Sequence, residues 1–152
     1  MVNLDIVSLF LIDDSDRSIN SNQTSVIMRK DFFPSLNSTF FYEICYQNEF
    51  DLDCEGPSVM SSGFVVSEYP NDTVYFEDSA GKIVLYKLDS ITGDKITLND
   101  SLGIINYEKG EVLLYNLTII KGSFDDNRIE VRAKPLSNDI NALRNVYLDV
   151  DI

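Results

Sequence analysis

The chain has 152 residues, of which 12 are basic and 25 acidic, so its formal net charge at pH 7 is −13. This acid excess opposes binding to phosphate backbones and to anionic lipid, because such binding needs Lys and Arg to displace counterions. The chain also has no histidine, which excludes Ser-His-Asp and Cys-His catalysis and histidine-containing zinc sites. With 44% hydrophobic and 24% charged residues, the composition is that of a folded protein and favours a structural module over an enzyme.

The cysteines and the first residues indicate a compartment. Met1–Ile12 carries Asp5 and lacks a basic n-region and a small-residue cleavage site, so it does not predict a signal peptide. No apolar stretch approaches the ~20 residues that cross a bilayer. We therefore expect a reducing compartment in which Cys45 and Cys54 are both free thiols.

The N-terminal part predicts a strand followed by a helix. Val2–Ile12 is an apolar run with β-branched residues, typical of a buried strand. After the polar loop Asp13–Asn22, the segment Thr24–Phe33 predicts a helix, because its apolar residues fall near one helical face and Pro34 would end it.

The next segment, Thr39–Asn48, fits two structures. Its aromatic and β-branched residues favour a strand. Ser38 as an N-cap, with Phe40, Phe41, Ile44 and Cys45 at helical spacing, favours a helix. We prefer the helix, followed by a turn region at Asp51–Pro57.

Beyond Pro57 the pattern predicts β-structure. A strand over Ser58–Tyr69, interrupted at Gly63, is followed by a turn at Pro70–Asp72. The later predicted elements are a hairpin of Thr73–Glu77 and Lys82–Leu88, a turn at Thr92–Asp94, a hairpin of Ser101–Tyr107 and Glu111–Leu117 with Gly110 in the left-handed conformation, a half-buried strand at Arg128–Pro135, and an extended segment at Val146–Ile152.

These elements predict an α+β fold. We expect one domain over residues 1–152, with an αβ part at 1–56 and a β-hairpin part at 57–152. In it, an N-terminal strand and two helices pack on a mainly antiparallel β-meander of hairpins.

Three acidic clusters are the candidate sites for chemistry. Asp13–Asp16 could chelate calcium, but the residues at the sixth and twelfth loop positions, Ile19 and Ser25, are not the required Gly and Glu. Asp51, Asp53 and Glu55 form a second cluster and Asp125–Asp126 a third. Carboxylate-based hydrolysis would need two acidic side chains facing each other. We expect solvated turns at all three clusters, with no catalytic residue, metal or cofactor.

The aromatic residues and cysteines predict packing rather than chemistry. Negative surroundings disfavour a thiolate at either cysteine, and no histidine is present to activate one. The remaining functional signal is an acidic, β-rich chain with strand edges, which indicates an interaction module whose partners carry basic surface. The aromatic residues expected in the core, rather than in a stacking platform for sugars or bases, are Phe32, Phe33, Phe40, Phe41, Tyr42 and Tyr46.

The C-terminal half resembles a known family. The succession runs from Tyr75–Asp78 and Gly81–Ile83 through Gly103–Val112 to a tail, Lys134–Ile140 followed by Arg144-Asn145. In order and spacing these residues resemble the C-terminal region of the baseplate wedge subunit of T-even-type contractile-tailed phages, related to the baseplate J-like family. The resemblance covers Ser58–Ile152 and extends more loosely to the N-terminal half. Since that subunit is several times longer, the chain would be its C-terminal domain or a split homologue.

The resemblance implies a non-enzymatic virion protein, assembled in the host bacterial cytoplasm into the tail baseplate. Its partners would be other wedge proteins and copies of itself, with a dimer expected, and no nucleic acid or membrane. Two alternatives are a calcium- or carbohydrate-binding β module of an adhesin or tail fibre, and a carboxylate-based hydrolase. The interface candidates are the residues of the matched tail: Asn138, Asp139, Ile140, Leu143, Arg144 and Asn145.

Overall fold

A computed structural model describes residues 25–52, 55–136 and 147–151. Ten strands make up its regular structure. They are β1 (Ser25–Phe32), β2 (Thr39–Cys45), β3 (Val59–Ser61), β4 (Phe64–Val66), β5 (Tyr69–Ser79), β6 (Lys82–Leu88), β7 (Lys95–Asn106), β8 (Glu111–Lys121), β9 (Ile129–Ala133) and β10 (Tyr147–Asp151).

The described residues are all β, so the α+β prediction with two helices is wrong. The helix predicted at Thr24–Phe33 is β1, and the helix preferred at Thr39–Asn48 is β2. The strand predicted at Val2–Ile12 lies outside the described residues. Within the part of the chain that is described, no helix has the length and apolar character needed to span a membrane.

An inward-facing lysine hides the alternation of β1 in the sequence. Met28, Lys30 and Phe32 are all buried, at the two-residue spacing of one strand face. The Lys30 ammonium donates a 2.8 Å hydrogen bond to the carbonyl oxygen of Cys45. This contact provides the buried charge with a polar partner, so a charged residue occupies a position where an apolar one would have marked a strand.

Five strands form a closed barrel in the order β4-β5-β6-β7-β8, with β8 pairing back to β4. All five pairings are antiparallel. An odd number of antiparallel pairings cannot close a ring of straight strands, because strand direction reverses at each pairing and the fifth would be parallel. Some of the strands must therefore bend. Register shifts in the β4–β5, β4–β8 and β6–β7 pairs mark such irregularities, since β-bulges bend a strand and increase its twist.

Gly103 permits the close approach of β7 and β8. A Cβ atom at this position would overlap the backbone carbonyl of Leu113. Position 103 of the barrel wall therefore has room for glycine but not for a residue with a Cβ atom.

The remaining strands extend the sheet from the barrel. β3 joins β5 to β9, β9 pairs with β1, and β1 pairs with β10. β2 branches off on its own, pairing with β8. The buried core joins these parts: Tyr46, fully buried, donates its hydroxyl to the carbonyl oxygen of Val131 in β9 at 2.6 Å.

The C-terminal β predictions are largely confirmed. β5 and β6 form the predicted hairpin, whose turn has Ala80 at φ 50° and Gly81 at φ 84°, the positive pair that a tight primed turn requires. β7 and β8 form the second hairpin, with Gly110 at φ 67°. β9 shows the expected alternating burial, and β10 lies in the predicted extended segment.

One predicted turn is wrong: Pro70–Asp72 lies inside β5. Pairing of β5 with β6 begins only at Val74. Proline lacks an N–H donor and is tolerated where a ladder is interrupted, so the start of β5 accepts it.

Candidate functional site

The main candidate site is an outward face of the sheet around β2, β8 and β7. Inward residues of these strands, such as Tyr42, Ile44, Val112 and Leu114, are buried. The alternate residues therefore point away from the core. We define the β2 face as Phe41, Glu43 and Cys45 of β2, Glu111, Leu113 and Tyr115 of β8, and Ile104 of β7.

An apolar stripe crosses the β2 face. The rings of Phe41 and Tyr115 lie 5.4 Å apart at an interplanar angle of 31°. Strand register places Ile104 beside Leu113. Ile104 is 43% exposed and Tyr115 37% exposed, and adjacent apolar exposure of this kind is typical of a surface that contacts another protein.

Three ligand-type side chains lie next to this stripe. One ligand atom from each of Glu43, Cys45 and Glu111 falls within 4.8 Å of the others. The Cys45 thiol donates a 3.2 Å hydrogen bond to Oε1 of Glu43. Burial, the Glu43 bond and the charges of Glu43 and Glu111 raise the pKa of Cys45 to about 12.

By geometry the three groups form a candidate ligand set of two carboxylates and one thiol. Metal coordination requires the thiolate, so binding of a cation here would be coupled to release of the Cys45 proton. Cys45 is a free thiol, as predicted, but it is only partly buried and lies on the outward face rather than in the core. Cys54 lies outside the described residues.

Glu43 and Glu111 share the outward face of the sheet, and the nearby Lys30 charge offsets them only in part, since it lowers the Cys45 pKa less than the carboxylates raise it. Neither carboxylate forms an ion pair with a basic side chain within the described ranges. Basic residues elsewhere are engaged: Lys95 pairs with Glu77 at 2.9 Å, and Arg128 pairs with Glu130 at 3.1 Å. The β2 face is therefore locally acidic as well as apolar.

β2 is also an edge strand in the described sheet. It pairs with β8, and no second described strand pairs with it. An edge strand presents backbone donors and acceptors that another chain can use. Lys30 covers one of these acceptors, the carbonyl oxygen of Cys45.

A second apolar surface lies at the end of the β6–β7 hairpin. Asp89 orders the turn by accepting hydrogen bonds from the backbone N–H groups of Ile91 and Thr92, at 2.8 and 2.9 Å. Ile91 is nevertheless 92% exposed. Together with exposed Leu88 and Ile96, it forms what we call the β6–β7 tip.

A cavity of about 240 Å³ opens where β8 passes from β7 to β4. Ser67, Glu68, Asn99, Ser101 and Thr118 are among its polar lining residues. Several are engaged within the protein: the Ser67 N–H donates to the Thr118 carbonyl at 3.0 Å, and the Ser101 N–H donates to Asn99 Oδ1 at 2.9 Å. Among the described lining residues Glu68 is the one carboxylate, so they include no pair of carboxylates that could serve as acid and base.

A wider cavity of about 510 Å³ lies beside the β5–β6 turn. Of the described lining residues, one is a carboxylate, Asp78. That carboxylate accepts hydrogen bonds from the Val59 N–H at 2.8 Å and the Tyr107 hydroxyl at 2.7 Å. These bonds anchor β3 and the β7–β8 hairpin to the β5–β6 turn, which is a structural role.

A buried charge network between β1 and β9 is not evident from the sequence. Asp31 lies opposite Glu130 in the strand register. Arg29 and Arg128 both contact Asp31, at 3.4 and 3.7 Å. Burial nevertheless raises the pKa of Asp31, against the opposing effect of Arg29. The two carboxylates are bridged by arginines and line neither cavity, so they bind strands together.

Within the described residues, the structure does not bring the predicted acidic clusters together. Arg128 donates its N–H and its guanidinium to the Asp126 carboxylate, both at 3.1 Å, and the backbone bond is the largest cause of the lowered pKa of Asp126. Asp51 contributes backbone bonds to Ser58 and Lys134. Asp53 and Asp13–Asp16 lie outside the described residues.

The predicted interface and aromatic core have different outcomes. Asn138, Asp139, Ile140, Leu143, Arg144 and Asn145 all lie outside the described residues. Of the six aromatic residues expected in the core, Phe32, Tyr42 and Tyr46 are buried, whereas Phe33 is 40% exposed. Phe40 is partly buried against the core, and Phe41 belongs to the β2 face.

Comparison of the chain with protein-family models, with curated proteins and with solved structures finds no match. The fold and the surface by themselves define a class: an all-β protein with a closed barrel, an appended sheet, and an exposed face on which apolar side chains adjoin two carboxylates. Its resemblance to baseplate wedge subunits stays a prediction from the residues quoted above.

Proposed function

We propose that the chain is a structural module that acts by protein–protein contact, as a component of a contractile-tail baseplate wedge in the virion. The proposal of protein–protein contact rests on the β2 face, where exposed apolar side chains adjoin an edge strand. A surface of this kind is stabilised when a partner covers it. The proposal of a baseplate wedge component rests on the resemblance of Ser58–Ile152 to wedge subunits.

The chemistry of the described residues supports a contact role over catalysis. The histidine-free sequence leaves carboxylates as candidate acids and bases. One pair of neighbouring carboxylates outside the β2 face, Asp31 and Glu130, is bridged by arginines. In this proposal, the partners of the chain are other wedge proteins and copies of itself, in a virion assembled in the host bacterial cytoplasm.

Labelling of native particles tests this proposal. Gold-labelled antibody fragments raised against the purified chain are applied to tail particles from cells that make the chain natively. We expect gold at the baseplate end of the tail, and none after the fragments are pre-adsorbed with purified chain. Absence of the chain from the particles contradicts the proposal, and labelling along fibres favours the adhesin or tail-fibre alternative.

A further inference from the structure

We propose that β2 accepts an added strand from a partner protein, and that this strand carries lysine or arginine beside Glu43 and Glu111 and an apolar residue beside Phe41. The inference deepens the proposed function, on which it rests, by assigning the chemistry of the partner. Its elements are an edge strand, an apolar stripe and two carboxylates on one face.

The backbone of β2 provides the first element. Adding a strand to a sheet edge supplies main-chain hydrogen bonds, while alternate side-chain positions supply specificity. Thr39–Cys45 is a seven-residue strand, long enough for several such bonds. The β8 side of β2 is already paired, so an added strand takes the other side.

Strand geometry fixes which side chains meet. Directly opposite residues on neighbouring strands have Cβ atoms ≈ 4.5–5.5 Å apart. An added strand therefore places every second side chain beside Phe41, Glu43 and Cys45 on the outward face. The position beside Cys45 also reaches Glu111, whose carboxylate lies within 4.8 Å of the thiol.

Charge decides between a basic partner and a second copy. Pairing two β2 strands would set the acidic faces of two copies side by side, on chains that each carry −13. Like charges directly opposite in a sheet are destabilising, whereas opposite charges contribute favourably. A basic strand brings its cations towards both carboxylates and packs its apolar side chain against Phe41, next to the Phe41–Tyr115 ring contact.

A symmetric peptide probes the site on the full chain. The probe is a nine-residue peptide with blocked ends, in which threonine alternates with lysine around a central valine, so that either strand direction fits. One control peptide has glutamate in place of lysine. A second keeps the lysines but carries N-methyl groups on alternate backbone nitrogens, which removes strand donors without changing charge.

Two matched double variants separate specific binding from general attraction to an acidic protein. Glu43→Gln with Glu111→Gln removes the carboxylates of the β2 face. Asp94→Asn with Asp125→Asn makes the same change in net charge at exposed positions outside that face. Binding is followed by fluorescence anisotropy in 150 mM NaCl, and hydrogen exchange of fragments covering Thr39–Cys45 is followed by mass spectrometry.

We expect the lysine peptide to bind and to slow exchange in β2. The Glu43/Glu111 double variant should weaken binding at least tenfold, and the Asp94/Asp125 variant less than twofold. Absence of binding, equal loss in both variants, or equal binding of the N-methylated peptide overturns the proposal.

Other occupants of β2 give different exchange results. In the free, monomeric full chain, slow exchange at the β2 amides that do not bond to β8 would assign the edge to the chain itself, since the amides bonded to β8 exchange slowly in any case. Slow exchange that appears only as concentration rises would assign it to a second copy. Either result overturns the basic-strand proposal, while labelling of native tails still tests the proposed function separately.

Discussion

At the scale of single residues, burial and acidic neighbours act together on the Cys45 thiol. Its pKa of about 12 lies above that of an ordinary cysteine, so the thiolate fraction at pH 8 falls from about a quarter to a trace. Because the thiolate is the nucleophile, alkylation of Cys45 should be at least ~100-fold slower than that of a free cysteine.

Iodoacetamide labelling at pH 8 in a Cys54→Ser background measures this rate, with intact mass as the readout. Replacing Glu111 by Gln removes a charge that raises the Cys45 pKa, so the Glu111→Gln variant should react faster. A rate in the parent chain close to that of glutathione would contradict the assigned environment.

At the scale of elements, β1 and β2 explain where sequence patterns fail. In β1, buried Lys30 interrupts the inward apolar series, and its partner is the carbonyl oxygen of Cys45, fifteen positions away. In β2, Phe41 and Cys45 make the outward face apolar as well, so alternation disappears. The apolar residues of the exposed stripe, which make β2 a candidate site, thus break the alternation of apolar and polar residues by which a strand is recognised.

The hairpins were predictable because their signals are local. Gly81 and Gly110 sit where tight turns need positive φ, and the flanking runs are rich in β-branched residues. Closure of the barrel was not predictable, because β4 and β8 are brought together by Val65 and Lys121 across more than fifty positions. The Glu43–Cys45–Glu111 cluster depends on the same kind of long-range pairing, between β2 and β8.

Barrel closure makes a direct prediction at Gly103. Replacing it by Ala places a methyl group onto the Leu113 carbonyl, and a backbone atom in a paired strand cannot move aside easily. We expect Gly103→Ala to lower the free energy of unfolding by at least ~2 kcal/mol, within the range for overpacking. Urea denaturation followed by circular dichroism measures the loss.

A neighbouring exposed residue supplies the control for this change. Ile104 points outward and is 43% exposed, so Ile104→Ala should cost less than ~1 kcal/mol. Equal costs at the two positions would show that β7 does not approach β8 as described.

At the scale of the whole molecule, salt has two opposing effects on the stability of a fold with a net charge of −13. Ion pairs such as Arg128 with Glu130 weaken when screened, but partly exposed pairs contribute only ~0–1 kcal/mol each. Repulsion among the excess carboxylates destabilises the compact state and is screened as well. Since acidic residues outnumber basic ones about two to one, relief of repulsion should exceed the loss of ion pairs.

We therefore expect the thermal midpoint at pH 7 to rise by about 2–4 °C between 20 and 500 mM NaCl, the shift that ~1 kcal/mol gives at this chain length. Near pH 4.5, close to the isoelectric point of about 4.2, the carboxylates are partly protonated and the rise should disappear. Scanning calorimetry at both pH values makes the comparison. A midpoint that falls with salt at pH 7 would mean that the ion pairs linking β1 and β9 outweigh the repulsion, and that the acid excess is neutralised within the folded chain rather than left for a basic partner.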